Sequence, residues 1–348
     1  MIKRKVLVVS TLLVSLLIPT PYSQATPVNS KYLGCSTNDY NCYTAKIDTV
    51  IKQSKSIDPV LKSFDEIAKN TNGINGQCNN FGRYIGKELY KKYKTLVLNY
   101  HNYTCGEPYT YGFMESMGAE SKDVSNLVRN KLVPYCAKDK FPDMCAYGVG
   151  ISQSSSKLNA GEIQKNCEKY FPASTQALTL PYEVRAEGIC LLGWVSGKNS
   201  VLPSSYYKTI KSAMAICDGS YKDGKLSCLA EATFAYTYVG NPTSEVRIKR
   251  VYELKERCKE DTSSMCYRFI GKALDDYFLY SLQLDLKNKT SALEASKLVS
   301  SLCVKGSTYC IEGLLNAHVV HRSKEDAKLL CTVLEVKYRK ICLAKLNP

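Results

Sequence analysis

Apolar residues along this chain recur at helical spacing in short stretches, separated by polar breaks that often carry Gly or Pro. Val60, Leu61, Phe64, Ile67 and Ala68 form the first stripe, which predicts a helix ended by the polar run 70–77. Cys78 to Tyr93 places Phe81, Ile85, Leu89 and Tyr93 on one face. Gly82 and Gly86 lie four apart in the same stretch, a spacing that suits close approach of a second helix. A polar break over 99–107 follows, then Tyr111, Phe113, Met114 and Met117. Val124, Leu127, Val128 and Leu132 predict the next helix, with Pro134 as its stop. Asn159 to Glu162 and Ser291 to Glu294 have the form of capping boxes. Tyr206, Ile210, Ala213, Met214 and Cys217 fit one continuous stripe, and Ile248, Val251, Tyr252 and Leu254 lead to Cys258. Ser323 to Asp326 begins a helix that ends at Cys331.

The cysteines punctuate this pattern. One of each pair ends a helix-like run and the next opens another, at Cys136/Cys145, Cys167/Cys190, Cys217/Cys228, Cys258/Cys266, Cys303/Cys310 and Cys331/Cys342. The opening cysteines, from Cys78 and Cys105 to Cys342, are 27 to 45 residues apart. A period near 40 with two helices per unit predicts an all-α array of helical hairpins, an irregular α-solenoid stapled at its joints. Glycine follows at a repeated phase: Gly148, Gly193 and Gly313 stand three residues after their cysteine, and Gly82 and Gly271 four or five. Nearest-neighbour bridges are expected, each worth roughly 2–3 kcal/mol when it closes a loop of about ten residues. Cys35 and Cys42 frame a small polar loop, while the wide pairs Cys78/Cys105 and Cys167/Cys190 leave an exchange of partners open.

Charge and the amino terminus set the compartment. Lys3, Arg4 and Lys5 precede the 13-residue apolar run Val6 to Ile18, and Ser23 to Ala25 are small at the cleavage positions. Residues 1–25 therefore read as a signal peptide, with 26–70 as a leader and 71–348 as the array. The apolar run is short of the roughly 20 residues a span requires, and no later segment approaches that length. Sixteen cysteines in an exported chain indicate disulfides and a secreted or periplasmic location. Removing Lys3, Arg4 and Lys5 takes the formal charge from +15 to +12. Outside the cytosol, a basic surface points to proteins or to anionic envelope and glycan polymers rather than to nucleic acid.

The joint Cys258-KEDTSSM-Cys266 has C-x7-C spacing, Cys303 to Cys310 is one shorter and Cys136 to Cys145 one longer. With glycine following the opening cysteine, and with the run Glu325 to Cys331, this resembles the cysteine-rich, Sel-like branch of the tetratricopeptide-type repeats over about 136–342. The resemblance implies a concave protein- or ligand-binding surface, and some members are linked to cell-wall-type ligands and host interaction.

Catalytic constellations are sparse. There are three histidines, His101, His318 and His321, and no C-x2-C pair, so no metal is expected. No Gly-rich phosphate loop or nucleophile elbow is present, and no cofactor is expected. His318 and His321 read as surface residues, and Asp275-Asp276, Glu115/Glu120 and Glu183/Glu187 as solvated carboxylates. Tyrosine is abundant, 26 against 8 Phe. Tyr100, Tyr103, Tyr109 and Tyr111, with Lys91, Lys92 and Lys94, form a candidate basic–aromatic binding patch. The expectation is an exported, non-enzymatic repeat protein that binds a protein or an envelope polymer. The alternative is a cell-wall-directed hydrolase or a binder of cell-wall fragments.

Overall fold

A computed structural model describes residues 35, 39–70, 77–175, 178, 182–240, 242–259, 264–282, 284–304, 307–321 and 324–346. Residues 1–25 and most of the leader before Asp39 lie outside them. The described residues are helical, with no strand among them. In chain order the helices are α1 Tyr40–Gln53, α2 Asp58–Asn70, α3 Cys78–Tyr93, α4 Pro108–Glu120, α5 over 124–136, α6 Pro142–Ser152, α7 Ala160–Tyr170 and α8 Ala186–Val201. They continue as α9 Ile210–Met214, α10 Lys222–Tyr238, α11 Ser244–Cys258, α12 Ser264–Tyr280, α13 Lys289–Leu302, α14 Ser307–His321, α15 Lys324–Val333 and α16 Val336–Leu346. None of the described helices is long and apolar enough to cross a membrane.

The chain forms two compact units, one of Met1–Gly112 with Val319–Ser323, the other of Phe113–His318 with Lys324–Pro348. In the first, α1 takes the place of the expected polar leader. Asp39 caps it, its Oδ1 accepting from the Cys42 amide at 2.9 Å, and Tyr43, Ile47 and Ile51 bury one face. Cys42 therefore sits in a helical turn, and only part of the Cys35–Cys42 segment is loop. The apolar positions of α1 are four apart and thinly spread among polar residues, so the stripe is faint in the sequence. On α2 and α3, Phe64 and Phe81 meet edge to face at 5.8 Å, and Gly82 admits Pro108 where a Cβ would lie 2.3 Å from its ring.

In the second unit, helices opened by a cysteine (α6, α8, α10, α12 and α14) alternate with helices that close at one (α7, α9, α11, α13 and α15). All sixteen cysteines are paired, each with its neighbour in sequence, the wide pairs Cys78–Cys105 and Cys167–Cys190 included. Their Cα–Cα separations of 5.4–6.0 Å are ordinary for disulfides. This is a disulfide-stapled helical repeat array, in which one bridge sits at each turn between successive hairpins.

Glycines set how closely the opening helices approach. A Cβ on Gly150 of α6 would lie 1.9 Å from the Cys190 carbonyl oxygen of α8, and one on Gly193 of α8 would lie 2.0 Å from the Tyr147 oxygen of α6. The same exchange joins α12 and α14: Gly271 meets the Cys310 oxygen at 2.0 Å and Gly313 the Arg268 oxygen at 2.0 Å. Each pair is thus locked by two reciprocal glycine–backbone contacts, one glycine five residues after its cysteine and one three after. The repeated glycine phase in the sequence is this contact.

Three local expectations give way. Pro134 does not stop α5, because residues 128–132 form a π-helical turn and the helix resumes over Val133–Cys136 with the proline in its first turn. A first-turn position needs no amide donor, and the widened turn accommodates the ring. The stripe from Tyr206 to Cys217 is broken, since Thr209 is extended and caps α9 through Oγ1, which accepts from the Ser212 amide at 3.1 Å. Helix α13 starts at Asn288, whose Oδ1 accepts from the amides of Thr290 (2.9 Å) and Ser291 (3.3 Å), so Ser291 lies inside the helix rather than at its cap. The Asn159–Glu162 box is formed as read, closing both hydrogen bonds.

Candidate functional site

The predicted basic–aromatic patch is dispersed by the fold. Tyr109 and Tyr111 are core residues, and the Tyr109 hydroxyl donates to the Val97 carbonyl at 3.3 Å. Tyr100 donates to Asp58 at 3.3 Å, and Tyr103 is exposed and stacked on His101. Lys91 pairs with Glu88 at 2.5 Å on the surface, and the Lys94 ammonium lies 5.0 Å from the Tyr90 ring. Lys92 caps α1: its ammonium donates to the carbonyls of Ile51 (2.5 Å), Lys52 (3.1 Å) and Ser54 (2.6 Å). Those are the carbonyls a helix leaves unpaired at its C-terminus, where positive charge is favoured. The side chains that looked like a binding surface mostly hold the first unit together.

A surface with the expected chemistry lies instead along α11 and its joint to α12. One open groove of about 620 Å³ is lined by Ile210, Lys249, Tyr252, Glu253, Glu256, Arg257 and Lys259. A second, of about 410 Å³, is lined by Lys255, Lys259, Tyr267, Leu302 and Val304. Lys259, the residue after Cys258, borders both. Together they carry four cations (Lys249, Lys255, Arg257, Lys259) and two acids (Glu253, Glu256). Both acids are already engaged, Glu253 accepting from the Tyr236 hydroxyl at 2.7 Å and Glu256 from Lys259 at 2.5 Å. Tyr252 is exposed at the rim, with its hydroxyl 2.9 Å from Ser301 Oγ, and Lys255 donates to the Ser301 carbonyl at 2.8 Å. The periodicity showed α11 as a helix, but its groove-facing cations alternate with glutamates and do not stand out in the sequence as a patch.

The acid–base groups are not solvated faces. His318 and Asp275 are 0% and 1% exposed, and His318 Nδ1 lies 2.6 Å from Asp275 Oδ1. The other ring nitrogen, Nε2, is buried without a partner. The pair joins α12 to α14, beside the Gly271 and Gly313 contacts, and no described nucleophile bonds to it. Glu187 is buried against Arg185 at 3.3 Å. Asp and His look alike in sequence whether they face solvent or a neighbouring helix, and here the partner stands 43 residues away. Glu231, not singled out by any motif, is also buried. Burial raises its carboxyl above the ordinary range, Lys272 opposes that and Asp276 adds to it. Among the described residues, no three His, Cys, Asp or Glu side chains gather in a way that could hold a metal ion.

The arrangement thus offers two basic grooves with aromatic and aliphatic walls, on a scaffold fixed by disulfides. No family model matches the chain, and neither a curated protein nor a solved structure is significantly similar to it.

Proposed function

We propose that the protein is an exported, non-enzymatic helical repeat scaffold that binds an anionic partner, a protein or an envelope polymer, along α11. The observation that carries this reading is the pair of grooves joined at Lys259, where four cations face two acids that are already bonded. Positive potential there speeds encounter with an anionic surface, and Tyr252, Tyr267, Leu302 and Val304 supply apolar contact area. Eight disulfides belong to an oxidising compartment, and with the basic start and apolar run of residues 1–25 they support export to the periplasm or beyond. The likeness to Sel-like repeats adds to the binding reading.

The test is a non-reducing pull-down from the native envelope, comparing the wild type with Lys255→Glu/Lys259→Glu. Loss of the captured partner in the variant, and weakening in salt, is the expected result. Equal capture by both proteins would remove the groove from the interaction. One observation favours a second reading, that of a cell-wall-directed hydrolase: Glu231 is a buried, readily protonated acid influenced by a second carboxylate, Asp276. Release of sugars or muropeptides from cell wall by the wild type, abolished in Glu231→Gln, would establish that activity.

A further inference from the structure

Helix α10 departs from the rule that packs its neighbours. The third residue after the opening cysteine is Gly193 in α8 and Gly313 in α14, but Glu231 in α10 and Phe269 in α12. The fifth is Gly150 in α6 and Gly271 in α12, but Val195 in α8 and Thr233 in α10. The α8–α10 and α10–α12 crossings therefore contain none of the glycines that lock α6 to α8 and α12 to α14, and side chains occupy the space between the helices. Helix α10 is also buried around most of its circumference, polar residues included. A helix in that position is normally apolar on every side.

Two matched stripes face each other across the α10–α12 crossing. Glu231, Phe234 and Tyr238 stand three, six and ten residues after Cys228, and Phe269, Lys272 and Asp276 stand at the same places after Cys266. Phe234 stacks on Phe269 with centroids 5.2 Å apart and meets Tyr238 at 5.1 Å. The Lys272 ammonium lies 4.3 Å from the Phe234 ring and 5.6 Å from Phe269. Glu231 is 7% exposed, yet no described residue hydrogen-bonds its carboxyl. Lys272 likewise makes no hydrogen bond or ion pair with a described residue. Tyr147 and Tyr207 lie within electrostatic reach of Tyr238, so phenols from two further segments converge on the same region.

A buried carboxyl and a neighbouring ammonium that do not bond to each other are costly in a folded core, and such exceptions call for a ligand or a role. The charges around them select the ligand. A free cation meets Lys272, and a free anion meets Glu231 and Asp276. A neutral hydroxyl satisfies both groups at once, donating to the carboxyl and accepting from the ammonium. Aromatic rings beside these groups suit the apolar C–H faces of a sugar. We propose that the Glu231–Lys272 region between α10 and α12 is a binding site for a neutral saccharide unit, separate from the α11 grooves.

The probes are the neutral disaccharides maltose, cellobiose and chitobiose, with glycine as a zwitterionic control, each titrated calorimetrically into the oxidised protein. At least one disaccharide is expected to bind. Glu231→Gln and Lys272→Met are each expected to weaken it about tenfold, the loss of one hydrogen bond to a charged group. Lys255→Glu/Lys259→Glu is expected to leave it unchanged, which separates this site from the groove reading. Far-ultraviolet circular dichroism confirms that each variant is folded. Absence of binding by all three sugars, full affinity in both recess variants, or binding of glycine in their place would overturn the assignment.

Discussion

Gly193→Ala tests the packing rule directly. The added methyl would stand 2.0 Å from the Tyr147 carbonyl oxygen and 2.8 Å from its carbon, where real Cβ contacts stay beyond 3.0 Å. The obstacle is backbone within a helix, so it cannot rotate away, and α6 and α8 must separate by about 1 Å along that line (3.0 − 2.0). Overpacking of this kind typically costs about 1–3 kcal/mol, and a backbone clash belongs at the upper end. Alanine's better helix propensity returns about 1 kcal/mol. The expected net loss is about 2 kcal/mol, read as a lower urea midpoint at unchanged slope under non-reducing conditions. Gly150→Ala acts at the same crossing, so a helix pair already parted by one methyl has less to lose to the other. The double variant should cost well under the sum of the single losses. Gly224→Ala is the contrasting case, because its methyl meets only the end of the Gln164 side chain, which can turn aside. Wild-type or higher stability in Gly193→Ala, or additive losses in the double variant, would refute the lock.

Three further outcomes follow from the same contacts. Replacing both cysteines of Cys78–Cys105 by serine should cost about 3.5 kcal/mol and doing so for Cys258–Cys266 about 2.5 kcal/mol, because the loops differ in length (27 and 8 residues); urea unfolding of the two variants checks the order. Lys92→Met should lower stability by about 1 kcal/mol through the freed carbonyls of α1 while Lys91→Met changes little, and thermal melts compare them. Glu231 has its folded pKa raised above the ordinary 4.5, so its contribution is fully present below pH 4.5 and is lost as pH rises through the raised value. Glu231→Gln should therefore match the wild type in acid and be the more stable at neutral pH, as a series of urea titrations across pH would show.

The sequence made some features legible because they are local. The stripes of α2 and α3, the Asn159 cap and the cysteine rhythm each depend on residues within a turn or two of one another. The α1 stripe was hidden by its polar neighbours, and the break at Thr209 by a stripe that ran on across it. The candidate sites were less legible. Lys92 beside Lys91 and Lys94 looks like a charge cluster, yet its ammonium is spent on carbonyls about 40 residues earlier in the chain. Lys259 looks like one charge in a polar loop, yet it borders two grooves whose far walls come from Ile210, Leu302 and Val304.

By itself, then, the sequence determined the helical class, the period and the places where the chain is stapled, because periodicity and short loops leave few alternatives. Only the tertiary structure decided which residues that period brings together. Gly193 and Tyr147 are 46 positions apart (193 − 147), and their contact exists only because α6 and α8 are packed side by side. Side-chain identity records that a glycine is small, not what fills the space it leaves. The same holds at α10, where Glu231 and Phe269 stand at the glycine phase and the crossings open enough to admit side chains. A carboxyl that any surface helix could carry is enclosed there by its neighbours, and that enclosure gives it a chemistry the sequence could not show.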